Sequence, residues 1–250
     1  MAIVATPKFL ARIQSLYPVS TQQSAIHNPW FIAAAVAFSA SNIPEAVPLV
    51  FKHAVQDVEA NDKLLVVRKI KDALFKSGML SGYPKAINAL VALHNDLPEE
   101  LRDKKPLRDL SQPTEALTQA GHEYFESTYG DTSTTVQGLL DSAFPDLGEA
   151  SPDRPRSVAP SCRSVGHFSK TFAYGYVYSF SDVLGHLDTS FAMISALIAS
   201  DNPLQIGWHL KGAIRNGATE SEVRAVRQIA IDVSSAAGVQ RRHPVPDLNE

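Results

Sequence analysis

One cysteine, Cys162, is all that this 250-residue chain offers to thiol redox chemistry. A lone thiol forms no internal disulfide and supplies neither a Cys-x-x-Cys pair nor a zinc motif. Surplus positive charge is missing too: 23 Lys and Arg stand against 26 Asp and Glu, a net charge of -3. Without a basic stripe to neutralise a run of phosphates, no nucleic-acid partner is expected. Long apolar runs are also absent. The longest, Phe31 to Ala40, is far below the roughly 18 residues of a membrane span, so it reads as a buried helix and no membrane partner is expected. Sustained apolar-polar alternation is lacking, and the closest approach to it, tyrosine-rich Phe172 to Phe180, is assigned to a helix. The eight histidines form no H-E-x-x-H or His-x-His pattern, so no metal site is expected.

Acidic residues are missing from the start of the chain, where Lys8 and Arg12 precede the first of them, Glu45. A mitochondrial presequence has that composition, but Pro7 and Pro18 interrupt the long amphipathic helix such a leader needs. The expected compartment is the cytoplasm, with the mitochondrion as the alternative.

What the chain does contain is an internal repeat. Phe31 to Pro44, Val47 to Val55 and Val66 to Ile70 follow one another in the same order as Phe191 to Pro203, Ile206 to Ile214 and Ala225 to Ile229. Each copy reads as three helices. In the second, Asn202 and Pro203 open a helix that Asn216 and Gly217 close, and Thr219 with Glu222 forms a capping box. Val223, Val226, Ala230, Val233 and Ala237 then make a packing stripe that Gly238 ends. Thr114 to Thr128 is a further amphipathic helix, with Leu117, Ala120 and Tyr124 on one face, and residues 145–163, with four prolines, read as a linker. The tail from Arg241 reads as loose.

The stretch from Asn202 through His209, Ala213 and Gly217 to Glu222, with Gln228 to Gly238, resembles the core of the carboxymuconolactone decarboxylase-like family. So does the segment Leu80 to Leu90, with its Gly82-Tyr83-Pro84 turn. The resemblance is to two-repeat fungal members. It implies an all-α, alkylhydroperoxidase D-like fold with two copies of a helical repeat, a homo-oligomer, a small-molecule substrate and no organic cofactor. The expected segments are 1–27, a first repeat over 28–101, a connector and linker over 102–164, a second repeat over 165–239, and a tail over 240–250. The peroxidase branch of that family uses a Cys-x-x-Cys pair. Serines and glycines stand in Phe75 to Gly82, and Ile231 to Gly238 has no sulfur, so thiol peroxidase chemistry is not expected.

His209 is the leading catalytic candidate. Gly212, Ala213 and Asn216 lie three, four and seven residues on, so the imidazole projects over a face of small side chains. Imidazole titrates near neutrality and suits proton transfer to a developing enolate; ordinary packing is the competing account. Asp232 is the second candidate, as an orienting group or a base, against a plain solvated carboxylate. In the first copy, aligning Gly82 with Gly238 sets Asp72 opposite Gln228 and Lys76 opposite Asp232. Aligning Val67 to Ile70 with Val226 to Ile229 shifts the register by three residues. Asp72 and Lys76 read as a surface ion pair. His53 matches Gly212, so the copies are chemically unequal. His53, Trp30, Trp208, Tyr83, Tyr174 and His167 are candidate substrate-binding residues, each open to a simpler reading as packing. Asp188 reads as a helix cap. The expected function is a cofactor-independent acid/base enzyme, a decarboxylase, isomerase or cyclase acting on a small carbonyl, lactone or β-keto acid. A non-catalytic oligomeric binding or scaffold protein is the alternative.

Overall fold

The computed structural model describes residues 4–18, 26, 28–109, 111–143 and 167–249. The proline-rich linker, Cys162 and the His167 side chain lie outside them. The described residues are helical and contain no strand, so the all-α expectation holds. No helix among them is long and apolar enough to cross a membrane. In chain order the helices are α1 (Pro7–Gln14), α2 (Trp30–Ala40), α3 (Ala46–Ala54), α4 (Lys63–Ser81), α5 (Tyr83–Asp96), α6 (Thr114–Tyr129), α7 (Ser133–Ala143), a wide π-type helix (His167–Tyr178), α8 (His186–Ala199), α9 (Pro203–Arg215) and α10 (Glu220–Ala236).

Two compact units form. The first combines Met1–Lys105 with Asp182–Glu250 and the second is Pro106–Ser181. The tyrosine-rich helix therefore groups with the connector and not with the second repeat.

The core of the first unit is a pair of helices, one from each repeat. All eleven residues of α2 are buried, as is α8 from Thr189 to Ala199. Their alanines allow close approach, and α2 packs against α8, α4 and α10, while α8 packs against α2, α10 and α4. A helix apolar all round is stable in water only when wrapped in this way. Removing each large aliphatic or aromatic side chain from water contributes about 1.5–3 kcal/mol.

Both central helices end alike. Ile43 N–H donates to Phe38 O and Asn42 N–H to Ser39 O; Asn202 N–H donates to Leu197 O and Asp201 N–H to Ile198 O. These are Schellman closures that need a left-handed residue after the cap. Asn42 and Asp201 fill that place, with φ of 61° and 57°. The outer helices α4 and α10 are followed by left-handed Gly82 and Gly238.

Other local expectations meet mixed results. The Thr219–Glu222 capping box forms. Asn202 is the N-cap residue of α9 ahead of Pro203, as expected, but its side chain makes no capping bond; its amide donates to Ser200 O instead. Asp188 caps nothing either, because Gly185 is the N-cap of α8 and the Asp188 carboxylate pairs with Lys69 at 2.8 Å. Nor is the tail loose. Arg227 donates to the carbonyls of Val245 and Pro246, Arg241 to Ser234 and Ser235, and Leu248 is buried. Polar, proline-containing sequence can thus be held through its backbone carbonyls, which composition does not show.

Asp72 and Lys76 are not a surface pair. Lys76 is fully buried, 3.3 Å from Asp72, and its ammonium donates to Leu184 O at 3.0 Å and Thr189 Oγ1 at 2.8 Å. The helical spacing was legible, but the presence of α8 over that face of α4 was not. In the Gly82–Gly238 register its counterpart is Asp232, which binds Arg12 of α1 at 2.6 Å. The two positions carry opposite charge, and each grips the segment leading into the other repeat.

The second unit is built where α6 meets the π-type helix. A Cβ at Gly121 would collide with the Lys170 carbonyl, and one at Gly175 with that of Leu117. Two glycines therefore set how closely the backbones approach. Tyr124, Phe125, Tyr129, Tyr174 and Tyr178 fill the space beside them, with Tyr174 O–H donating to Tyr129 Oη at 3.1 Å.

Candidate functional site

The residues singled out from sequence do not converge on one site. His209 is 3% exposed, and burial pulls its pKa down to about 4, so at neutral pH it is an uncharged imidazole inside the first unit. Asp232 does not orient it. Its Oδ2 is taken by Arg12 and its Oδ1 by Gln228, each at 2.6 Å. Gly212 and Ala213, the small residues beside it on α9, are buried with the histidine.

Trp30 and His53 do come together, edge to face with centroids 5.6 Å apart, and His53 Nε2 lies 3.1 Å from Gln14 Oε1. Trp30 is buried, making that cluster core packing. Tyr83 lies against Phe75 at the start of α5. Trp208 is half-buried on α9. Tyr174 belongs to the aromatic core of the second unit. Aromatic side chains signal apolar surroundings from sequence alone, but not which surroundings.

A different site emerges at the closed ends of the repeats. An open cleft of about 630 Å³ lies where α2, α4, α8 and α10 finish and the tail crosses them. Its polar lining is Ser41, Ser81, Lys85, Ser200, Asp201, Gln240, Arg242 and His243. That size lies within the range of small-molecule sites.

Each group is held by a nameable feature of the chain. Asp201 is the left-handed residue of the α8 closure, which turns its carboxylate out of the helix to accept the Arg242 backbone N–H at 2.7 Å. His243 Nδ1 lies 3.4 Å from the same Oδ2. The Arg242 N–H foremost, with His243 behind it, holds the Asp201 carboxyl below the usual range. Lys85, in the first turn of α5, donates to Ala40 O at 2.7 Å and so caps α2. Its ammonium keeps two further N–H groups. The side chains of Lys85 and Arg242 line the cleft together with the carboxylate of Asp201. The cleft thus gathers two cationic side chains and one carboxylate in a chain of net charge -3.

The hydroxyl oxygens of Ser41 and Ser200, at matching caps of α2 and α8, are shut off from water and find no hydrogen-bond partner. The repeat itself pointed to this place, since Ser41-Asn42 aligns with Ser200-Asp201. Only the folding back of the tail brings Arg242 and His243 to it.

No family model matches the chain, and no solved structure matches it. Curated proteins do. One from Schizosaccharomyces pombe, named Peroxisomal protein 2, is 30% identical over 87% of this chain and 91% of its own length. Another from Saccharomyces cerevisiae, bearing the same name, is 24% identical over 94% of this chain and 98% of its own length. The chain belongs to the Peroxisomal protein 2 family. This membership replaces the carboxymuconolactone decarboxylase-like resemblance: small-residue helices, Gly-Tyr-Pro turns and capping boxes report how helices pack and start, which unrelated families share. The expected cytoplasmic or mitochondrial location is likewise overturned by the name both relatives carry.

Proposed function

We propose that this member of the Peroxisomal protein 2 family works in the peroxisome as a cofactor-independent acid/base enzyme on a small carbonyl compound, with the cleft at the repeat ends as its site. The observation that carries the reading is the Asp201–His243 pair in a cleft that Lys85 and Arg242 also line. Asp201 at Nδ1 would hold one tautomer and steady the imidazolium, leaving Nε2 to remove a proton next to a carbonyl. The remaining N–H groups of Lys85 would meet the enolate oxygen as charge develops on it. An isomerase and a cyclase use this pairing of base and cation to make an enolate, and in a decarboxylase the cation would stabilise the enolate left by CO2 loss while the imidazolium returned a proton to it.

The test is solvent-deuterium exchange at the α-carbon of a small β-keto acid, followed by NMR. The wild-type chain should accelerate exchange at least tenfold over buffer, and His243→Gln should abolish the acceleration; His243→Gln exchanging at the wild-type rate removes the assignment. Imaging tagged copies against a peroxisomal marker in yeast tests the compartment, and diffuse or mitochondrial signal from copies tagged at either end would refute it.

A second reading, a non-catalytic oligomeric binding protein, is favoured by a separate feature. Ile87 and Val91, one turn apart on α5, are 53% and 51% exposed. Paired apolar residues on one helical face suit a contact between copies of this chain.

A further inference from the structure

We propose that the cleft binds a carboxylic acid carrying a short apolar body, with the Arg242 guanidinium and the hydroxyls of Ser41 and Ser200 as its carboxylate subsite. The inference rests on the cleft being the functional site, but not on any proton transfer taking place there.

Three observations converge. First, Arg242 is exposed at the cleft, and its guanidinium meets no carboxylate among the described residues; Asp201 of the same cleft is engaged through the Arg242 backbone instead. A planar fork of N–H donors on a concave surface matches a carboxylate in bidentate fashion. Second, Ser41 and Ser200 bring two hydroxyls without partners to matched positions of the lining. A buried hydroxyl without a partner is unfavourable, and rotation about one χ1 bond turns a serine hydroxyl to a new acceptor. An arriving oxyanion offers both hydroxyls the acceptor they lack. Third, Ala40, Leu80, Ala199 and Val239 bring apolar side chains to the lining along the repeat ends, beside the polar Ser81 and Gln240. A hydrocarbon segment would lie there, where a bare inorganic anion would leave it wet. Asp201 stands against a dianion, because a second negative charge would meet its carboxylate. The ligand is therefore a monoacid.

The experiment is isothermal titration of the full chain with hexanoate, methyl hexanoate and inorganic phosphate, on wild type and on Arg242→Gln, Ser41→Ala/Ser200→Ala and His243→Gln. Hexanoate should bind, the ester and phosphate at least tenfold more weakly. Arg242→Gln should weaken hexanoate at least tenfold and the double serine variant several-fold, with circular dichroism confirming that each is folded. No hexanoate binding, equal binding of the ester, phosphate preferred over hexanoate, or wild-type affinity in Arg242→Gln would each overturn the subsite. Intact hexanoate binding together with undiminished deuterium exchange in His243→Gln would sink the acid/base reading while leaving the carboxylate site standing.

Discussion

Asn42 and Asp201 hold the same left-handed backbone conformation at matching ends of α2 and α8, but only the second carries a charge. The first repeat thus shows that asparagine fits the position. Asp201→Asn should keep the Tm within about 2 °C of wild type, because the backbone requirement is met and an exposed charge contributes little. Asp201→Val, β-branched and forced to positive φ, should cost about 1–2 kcal/mol more. Thermal denaturation of the two variants separates backbone from charge, and equal losses would show that the carboxylate matters to folding.

Acid should weaken the first unit through His209. Its folded pKa of about 4 lies below the ordinary 6.5, so the unfolded chain binds the extra proton first. The neutral imidazole's stabilisation is complete above about pH 6.5 and is lost as pH falls towards 4, on the order of 3 kcal/mol in all. In His209→Gln the fall in Tm across that window should be shallower than in wild type. Parallel curves would show that His209 is not the group responsible.

Lys76 and Asp72 should behave as a buried pair. Lys76→Met leaves the Asp72 carboxylate in the interior without its cation and should cost about 3–5 kcal/mol in urea denaturation. The double variant Lys76→Met/Asp72→Leu should recover most of that, since two apolar groups need no partners. A double variant as weak as the single one would make the hydrogen bonds to Leu184 and Thr189, and not the ion pair, the main contribution.

Gly121→Ala should open the second unit and spare the first. The added methyl meets the Lys170 backbone, which cannot yield as a side chain would. Hydrogen exchange should speed up in Thr114–Tyr129 and His167–Tyr178 while α2 and α8 stay protected. Uniform deprotection would mean that the two units unfold together.

If α5 forms a contact between copies, Ile87→Glu/Val91→Glu should lower the mass seen by light scattering without changing helicity. A mass unchanged from wild type excludes this face as the contact.

The periodic parts of the fold were legible because they rest on local physics. The all-apolar run around Phe31 to Ala40, the Thr219 box and the Gly238 stop each encode their structure within a few residues. The candidate site was far less legible. His209 looked open because small residues follow it, yet sequence shows small side chains without saying whether a ligand or a helix fills the gap. Arg242 and His243 lie in a polar, proline-flanked tail, and their nearness to Asp201 depends on contacts made by Arg227 and Arg241. Asp201 itself was visible only as the odd member of an aligned pair, a carboxylate where the first copy has an amide.

The first unit is assembled from the two ends of the chain, with the second unit interrupting them. A ribosome therefore delivers α2 long before α8 and α10, the helices that cover it. At roughly 5–20 residues per second, a wholly apolar helix spends many seconds with only its first-repeat neighbours, such as α4, to cover it. The nascent chain should accordingly depend on chaperones that shield α2 until synthesis ends, and early termination should yield aggregation-prone fragments in place of a smaller folded protein.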